Sequence, residues 1–185
     1  MTPAAATALR PAVTPADIAL ARELFLEYAR WLEVDLCFQG FDRELATLPG
    51  AYAPPRGRLL LAGASPAAFG CIALRPLETH RQAGVSVPPP ERAIGEVKRL
   101  YVQPAHRGEG WGRRLAEALI AEARALDYAE LKLDTLDWMA DARKLYARLG
   151  FRECAAYYDN PLPGVVYMAL GLRDRPRLST RPQPF

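Results

Sequence analysis

The sequence predicts an α/β (α+β) fold in which helices cover both faces of a mixed, mostly antiparallel sheet. Residues 96–115 run from an apolar strand through a glycine-rich bend into a helix, and residues 129–136 form a strand after that helix. A strand that follows such a crossover lies parallel to the first strand. Upstream, two apolar runs flank residues 63–66, which is typical of an antiparallel hairpin.

The N-terminal third of the chain predicts an edge strand and two helices. Thr14 and Asp17 form a capping box with Pro15 at the first helical position, so a helix begins there. Apolar side chains recur three and four residues apart along it, which predicts one face against a core. Pro11 fits the preceding strand only if that strand lies at a sheet edge. The predicted bounds are residues 7–13 for the strand, 15 to about 34 for the first helix and 41–48 for the second.

The rest of the chain predicts alternating strands and helices. Val97 and Tyr101 are β-branched or aromatic, which is typical of a buried strand, and Pro104 ends that strand. Residues 80–92, which contain three consecutive prolines, predict a stiff exposed loop. Gly150 stands where glycine commonly ends a helix. The predicted strands are residues 58–62, 68–74, 96–102, 129–136, 151–158 and 165–170, and the last predicted helix is residues 139–149.

Glycines lie where the strand of residues 96–102 turns into the next helix. The first backbone N–H groups of a helix have no partner within the helix, so they can form a binding site for phosphate oxygens. Glycine has no side chain and lets these oxygens approach the backbone closely. The pattern is Arg-x-x-Gly-x-Gly at Arg107, Gly110 and Gly112. A dinucleotide fingerprint is excluded because Arg113 stands where its third glycine belongs, and the chain lacks the Gly-Lys-Ser/Thr of a P-loop. A phosphate seat and a plain tight turn remain.

This pattern resembles the acetyl-CoA pyrophosphate loop of the GCN5-related N-acetyltransferase (GNAT) family. A second segment, residues 142–151, is similar to the family's A-x-x-L-Y-x-x-x-G-F pattern and follows the second parallel strand, as that fold requires. The resemblance covers residues 7–172 as one acetyltransferase domain and implies a GNAT fold with a splayed pair of parallel strands. Residues 1–6 then form a flexible N-terminus, and residues 173–185 form a disordered tail.

The resemblance also implies acetyl-CoA as co-substrate and no metal. Family members leave backbone groups free where the two parallel strands splay apart, and pantetheine pairs there as a missing strand would. Met139 is a departure, because many members carry Asn at that position and use it to contact the cofactor. The residues that the resemblance assigns to the cofactor are Leu100, Tyr101, Val102, Arg107, Gly108, Gly110, Trp111, Gly112, Arg113 and Tyr146.

Three side chains are candidates for the chemistry of acetyl transfer to an amine, which needs a base for the amine and an acid for the departing thiolate. Glu96 lies eleven residues before the glycine motif, as the base glutamate does in histone-type members of the family. The alternative is a surface glutamate paired with Lys98 or Arg99. Asp134, on the adjoining strand, is the second candidate base. Tyr146 matches the family tyrosine near the cofactor sulfur, and a core tyrosine is the alternative.

Aromatic and acidic residues in two loops predict the acceptor pocket. In similar enzymes the hinge after the first helix and the loop before the final strand wall the acceptor side. Carboxylates can bind a protonated amine, and aromatic side chains can pack against a compact apolar group. The prolines at 161 and 163 would make the groove too narrow for an extended peptide. We therefore expect a small cationic amine as acceptor. Trp31 is predicted to lie in the core and not in this pocket. The residues assigned to the pocket are Asp35, Phe38, Phe41, Asp134 and Tyr158, of which Phe38 and Phe41 also fit the helix faces.

Composition and charge exclude several function classes. The 24 basic and 21 acidic residues are interspersed and give a net charge of +3, unlike the basic stripe of a nucleic-acid-binding protein. The three cysteines lie far apart, so neither a disulfide framework nor a zinc site is indicated. No apolar run reaches the roughly 18 residues of a membrane span, and no signal peptide is recognisable. We expect a cytoplasmic protein with no nucleic-acid or membrane partner.

The sequence therefore predicts an acetyl-CoA-dependent N-acetyltransferase that acts on the amine of a small molecule. Acetylation of proteins or peptides, and an acyl-CoA-binding sensor module without catalysis, remain as alternatives. Glu96 and Tyr146 together favour an enzyme, since a binding module needs neither. The identity of the acceptor, the length of the acyl group and the oligomeric state, including a homodimer, stay open.

Overall fold

The structure, a computed structural model, describes residues 9–77 and 93–173. Its strands are β1 (Leu9–Pro11), β2 (Arg58–Ala62), β3 (Gly70–Pro76), β4 (Ile94–Val102), β5 (Glu130–Leu136), β6 (Arg152–Glu153) and β7 (Val165–Gly171). Its helices are α1 (Pro15–Leu32), α2 (Phe41–Thr47), α3 (Trp111–Ala125) and α4 (Ala140–Arg148). The strands form one seven-stranded sheet in the order β1-β2-β3-β4-β5-β7-β6.

The sheet is mixed, and its one parallel pair within the described residues is β4 with β5. Helix α3 crosses between these two strands, as the sequence predicts for a parallel pair. The other neighbouring strands are antiparallel, and β2 and β3 form the predicted hairpin. The predicted fold class is therefore confirmed.

Both faces of the sheet carry a core. Along β2, Leu60 packs with Leu115 and Leu119 of α3 on one face, whereas Leu59 and Leu61 pack with α1 and α2 on the other. Successive residues of a strand point to opposite faces, so a strand that is apolar throughout is buried on both. This two-sided burial explains why residues 59–62 of the strand form an unbroken apolar run.

The predicted capping box begins α1. The hydroxyl of Thr14 accepts a hydrogen bond from the backbone N–H of Asp17 at 3.1 Å, and the carboxylate of Asp17 accepts one from the backbone N–H of Thr14 at 3.1 Å. Arg10 of β1 also donates to the carboxylate of Asp17. The capping residues thus join the edge strand to the first helix.

Two predictions about packing are wrong. Residues 151–158 do not form one strand, because β6 contains only Arg152 and Glu153. The backbone N–H of Cys154 still donates to the backbone carbonyl of Tyr167. The chain then bends, and the rings of Tyr157 and Tyr158 pack against the ring of Tyr167. Trp31 is not in the core, since it is 37% exposed and stands beside Trp138, with ring centroids 5.8 Å apart. It lies in the last turn of α1, where its neighbour Leu32 is the residue buried in the core.

Strand β4 pairs with β3 along its length but pairs with β5 only at its start. Its ladder with β5 joins residues 94–96 to residues 130–132 and, within the described residues, stops at Glu96. Its ladder with β3 continues to Val102 and contains a bulge at Arg99, whose φ is 59°. The two parallel strands therefore separate after Glu96, with β3 holding β4 in place.

Several sequence predictions concern residues outside the described ranges. These are the flexible residues 1–6, the loop at residues 80–92 and all but the first residue of the tail at 173–185. The domain bounds of 7–172 stay a prediction. Among the helices that the structure does describe, none has the length and apolar character needed to cross a bilayer.

Candidate active site

The gap between β4 and β5 holds a cavity of about 70 Å³. Leu100 borders it from β4 and Asp134 borders it from β5. Tyr28 of α1 reaches it from one face of the sheet, whereas Tyr146 of α4 reaches it from the other. The cavity therefore passes between the strands, and groups from both helical layers meet in it.

The glycine loop before α3 has the geometry of a phosphate seat. Gly108 and Gly110 have φ angles of 81° and 82°, in the left-handed region that favours glycine. A Cβ atom on either residue would have no neighbour within 4 Å, so the loop is open where side chains would stand. Gly110 precedes the first helical residue and provides no side-chain cap, which leaves the N–H groups of α3 available. These residues fit a bound phosphate group.

The side chains of Trp111 and Arg113 are engaged within the protein. Trp111 is buried, and its indole N–H donates to the carboxylate of Glu109 at 3.0 Å. Arg113 is largely exposed and donates to the carboxylate of Glu117 at 2.7 Å. Contact between these two residues and a phosphate therefore relies on their backbone N–H groups.

The open edge of β4 contains the three residues that the resemblance assigns to pantetheine. Tyr101 and Val102 pair with β3, and Leu100 borders the cavity on the side where β5 has turned away. The backbone carbonyl of Val102 is not free, because Nε of Arg107 donates to it at 3.0 Å. The guanidinium of Arg107 stacks on the ring of Trp31 at 4.6 Å. Arg107 thus covers one end of the edge.

Tyr146 is placed as a hydrogen-bond donor inside the cavity. Its side chain is buried, and burial raises the pKa of its hydroxyl, so the hydroxyl stays protonated at neutral pH. Within the described part of the chain no side-chain hydrogen bond to this hydroxyl is found. Met139, which stands where many family members have Asn, lines the same cavity and accepts from the hydroxyl of Thr135 at 3.7 Å.

Two acids and two cations form a buried chain beside the gap. Lys98 contacts Asp134 at 2.8 Å and Glu96 at 3.3 Å, and only 6% of its side chain is exposed. Arg75 contacts the other oxygen of Glu96 at 2.7 Å, and the hydroxyl of Tyr157 donates to Glu96 at 3.1 Å. Glu96 is therefore neither a surface residue nor a partner of Arg99. Its carboxylate oxygens are committed to three donors.

Asp134 is held in its ionised form. Burial works to raise the pKa of this carboxyl, but the charge of Lys98 and its hydrogen bond offset burial, and the pKa lies below its ordinary value. Burial and the carboxylates of Asp134 and Glu96 raise the pKa of Tyr158 and Tyr157. Both tyrosines therefore keep their protons. Tyr157 donates to Glu96, whereas the hydroxyl of Tyr158 accepts from the side-chain amides of Gln39 and Asn160.

A wide groove of about 1030 Å³ opens next to the cavity. Gln39 and Lys98 border both spaces, so they form the partition between them. Glu96 and Tyr158 line the groove, and Asp134 lines the cavity. The groove runs from this partition to the turn before β2, where Arg56 stands.

The structure does not bring all the predicted pocket residues to this groove. Asp35 is exposed and accepts a hydrogen bond from the backbone N–H of Cys37 at 2.8 Å, which stabilises its own turn. Phe41 is buried at the start of α2, with the guanidinium of Arg99 at 4.9 Å from its ring. The side chain of Phe38 lies outside the described part of the structure. Of the hinge residues, Gln39 reaches the groove instead.

Sequence reasoning missed Lys98 and Gln39 as residues of the site. The sequence places Glu96 and Lys98 on one face of the strand, because alternate residues of a strand share a face, but only the structure shows the pairing of residue 96 with 132 that sets 98 level with 134. Gln39 has no such signal. The described residues contain no group of three His, Cys, Asp or Glu side chains that could hold a metal ion.

Comparison with known proteins identifies relatives of the whole domain. The family model described as "Acetyltransferase (GNAT) family" matches residues 21–151. An uncharacterized N-acetyltransferase of Schizosaccharomyces pombe is 37% identical over 157 residues, which cover 84% of this chain and 89% of the relative.

Solved structures give the same architecture. A Klebsiella pneumoniae protein described as an acyl-CoA N-acyltransferase has a TM-score of 0.62 at 27% identity, covering 92% of this chain and all of the other. A Salmonella typhimurium acetyltransferase, solved with its cofactor acetyl-CoA, has a TM-score of 0.62 at 21% identity, covering 91% of this chain and 95% of the other. At that identity the second likeness shows the fold.

Proposed function

The chain belongs to the GNAT family and is an acetyl-CoA-dependent acyltransferase, and from that premise we propose that it transfers the acetyl group to the amine of a small molecule. The observation that supports this proposal is the meeting of the cavity and the groove at Gln39 and Lys98. A donor in the gap between β4 and β5 and an acceptor in the groove would come together at that partition. The groove is comparable in size to sites for small ligands, about 300–1,000 Å³.

The proposed cofactor site consists of the open edge of β4 and the glycine loop. Acetyl-CoA supplies the acetyl group as a thioester. Gly108, Gly110 and Gly112 would hold its phosphates through backbone N–H groups at the start of α3. Leu100 and Tyr101 would offer backbone groups along the gap. Arg107 would leave the carbonyl of Val102 if that carbonyl pairs with the cofactor arm.

The proposed acid is Tyr146. Its side chain lines the cavity, and its hydroxyl keeps its proton at neutral pH and has no side-chain partner within the described residues. A thiolate that leaves in this cavity would therefore find a donor. Because the hydrogen bond from Tyr146 to the thiolate would form only in the transition state, it would raise kcat without changing cofactor affinity.

The proposed base is Asp134, through water, rather than Glu96. Asp134 lines the cavity together with Tyr146, whereas Glu96 lines the groove and is bound by Arg75, Lys98 and Tyr157. We assign Glu96 the role of a positioning residue that fixes Lys98 beside Asp134. Because the pKa of Asp134 lies below its ordinary value, its carboxylate is a weak base, and we expect the fraction of unprotonated amine to set the pH dependence.

The proposal predicts turnover that depends on Tyr146. We expect Tyr146→Phe to lower kcat by about 10- to 1,000-fold, with little change in the dissociation constant of acetyl-CoA. The measurement is release of free thiol over a panel of small amines and unstructured peptides. Tyr52→Phe is the matched control, because Tyr52 is buried and its hydroxyl donates to Glu44, whereas Tyr52 lines neither the cavity nor the groove.

The same panel separates the alternatives. Faster turnover of peptides than of any small amine would favour a protein acetyltransferase. Cofactor binding without turnover of any acceptor would favour a sensor module. If kcat is unchanged in Tyr146→Phe and the acetyl-transfer step is shown to be rate-limiting, Tyr146 is not the acid and only packs in the core.

A further inference from the structure

We propose that the acceptor is an amino carboxylic acid, such as an amino acid with an apolar side chain, whose amine lies at Gln39 and whose carboxylate lies at Arg75 and Arg56. This inference rests on the proposed function and names its acceptor class. It replaces the cationic amine expected from the sequence, because Asp35 does not reach the groove and arginines do.

Gln39, which lines both the groove and the cavity, carries an unpaired acceptor. Oε1 of Gln39 is buried and has no hydrogen-bond partner among the described residues, whereas Nε2 of the same amide donates weakly to the hydroxyl of Tyr158 at 3.4 Å. A buried acceptor without a partner costs free energy that a ligand N–H group would recover. Since Gln39 lies on the partition, an amine bound to Oε1 would stand next to the cavity and the proposed base.

Arg75 offers donors in the middle of the groove. Nε and one terminal nitrogen of its guanidinium contact the same oxygen of Glu96, at 2.7 Å each. A guanidinium has five N–H groups, so three remain, and 30% of the side chain is exposed where it lines the groove. Arg75 also lines a shallower hollow that continues the groove toward α2. A carboxylate there would meet a cation already oriented by Glu96.

Arg56 adds a second cation to the lining of the groove. It has no carboxylate partner among the described residues, and its guanidinium stands 5.5 Å from the centre of the Tyr128 ring. The charged residues lining the groove are three cations and two anions, namely Arg56, Arg75 and Lys98 against Glu96 and Asp159. Arg75 and Lys98 together balance Glu96 and Asp134, so Arg56, which has no carboxylate partner among the described residues, is the cation that a substrate carboxylate would neutralise.

Apolar groups that line the same groove suit the side chain of such a molecule. The wall opposite the tyrosines comes from the turn before β2 and from the end of β3, and it is formed by Ala51, Ala53, Pro54, Pro55, Pro76 and Leu77. Rigid proline rings and small side chains lose little conformational freedom when a ligand binds. An acceptor with an apolar side chain would bury that side chain there.

The experiment compares acceptors that differ only in the carboxylate. We expect kcat/KM, expressed per concentration of unprotonated amine, to be about 10-fold or more higher for phenylalanine than for 2-phenylethylamine. In Arg56→Gln and in Arg75→Gln this ratio is expected to fall toward one. Arg124→Gln, which removes a cation from the exposed end of α3, is the matched control and keeps the wild-type ratio. General damage to the fold lowers both rates and leaves the ratio unchanged.

Calorimetry with reaction products tests binding apart from turnover. With CoA present, N-acetylphenylalanine is expected to bind about 10-fold or more tightly than N-acetyl-2-phenylethylamine, and Arg56→Gln removes the difference. Equal affinity of the two products, or a ratio unchanged in both arginine variants, would overturn the acceptor class while leaving acetyl transfer intact. Absence of turnover with every amine would instead overturn the proposed function, and the product affinities would still decide whether the groove prefers a carboxylate.

Discussion

Asp17 is a charged residue whose environment ties folding to pH. Burial works to raise the pKa of its carboxyl, but hydrogen bonds from Arg10 and Thr14 offset burial and lower the pKa from 3.8 to about 2. A carboxyl with a depressed pKa in the folded state stabilises the protein above the unfolded value. That stabilisation is lost as the pH falls from 3.8 through 2.

We expect Asp17→Asn to lower the free energy of unfolding by about 1–2 kcal/mol at pH 7, because it removes the charge that completes the capping box. The difference from the wild type should shrink below pH 3.8 and disappear near pH 2. Urea unfolding at several pH values measures both. Asp127→Asn is the control, since Asp127 is exposed and its φ of 58° suits Asn. A difference that stays constant with pH would show that the charge of Asp17 is irrelevant.

At the same scale, the sequence predicts some residues well and others poorly. The capping box is confirmed because it depends on residues three apart in the chain. The prediction for Trp31 fails because the helical period does not say which residue of the last turn, Trp31 or Leu32, is buried in the core. Lys98 and Gln39 depend on contacts between distant segments, so neither the burial of that lysine nor the unpaired amide oxygen can be derived from local pattern.

Helix α2 is held to the sheet by one ion pair. Arg99, at the bulge of β4, donates through two nitrogens to the carboxylate of Glu44, at 2.8 and 2.7 Å. The two side chains are 3% and 9% exposed. The hydroxyl of Tyr52 also donates to Glu44 at 2.9 Å. Because both charges are buried, loss of either partner would leave the other charge buried and unpaired, which costs more free energy than loss of both.

We expect Glu44→Ala to lower the free energy of unfolding by about 3–5 kcal/mol, since it leaves a buried guanidinium without a partner. Replacing both residues, as in Glu44→Leu with Arg99→Met, should cost less than the single change. Chemical denaturation measures both variants, with Glu153→Ala, which breaks an exposed pair with Arg143, as control. A loss below about 1 kcal/mol in Glu44→Ala would show that water reaches Arg99.

At the scale of elements, apolar runs and turn residues predict most of the architecture. Residues 58–62 are predicted as a strand and form β2 with the same bounds. The failure at residues 151–158 has a physical cause, because Tyr157 and Tyr158 gain contacts with Glu96 and Tyr167 that a regular strand would deny them. The bulge at Arg99 is likewise invisible in sequence, since only the tertiary pair with Glu44 stabilises a positive φ there.

For the whole molecule, occupation of the gap between β4 and β5 should raise stability. A ligand present at 100 times its dissociation constant adds about 2.7 kcal/mol, which corresponds to a rise in Tm of roughly 5–10 °C for a chain of this size. We expect acetyl-CoA to produce this rise in the wild type and to produce little of it in Gly110→Val, whose side chain would stand where the phosphates sit.

Gly40→Val is the control for backbone strain. Gly40 has a φ of 70° and Gly110 has a φ of 82°, and a Cβ atom on either meets nothing within 4 Å. Both variants should therefore lose stability without ligand, and only Gly110→Val should lose the response to acetyl-CoA. The measurement is thermal unfolding with and without the ligand. An equal response in the two variants would remove the glycine loop from the cofactor site.

The tryptophans lie around the entrance to this gap. The chain has three. Trp111 begins α3 at the glycine loop, Trp138 follows β5, and Trp31 stands between Trp138 and the guanidinium of Arg107, at 5.8 and 4.6 Å. Indole emission responds to nearby charge and to solvent, so movement of Arg107 or the arrival of a nucleotide would change the intrinsic fluorescence. The protein thus carries its own optical reporter, and each step of cofactor entry can be timed in a stopped-flow instrument without a label.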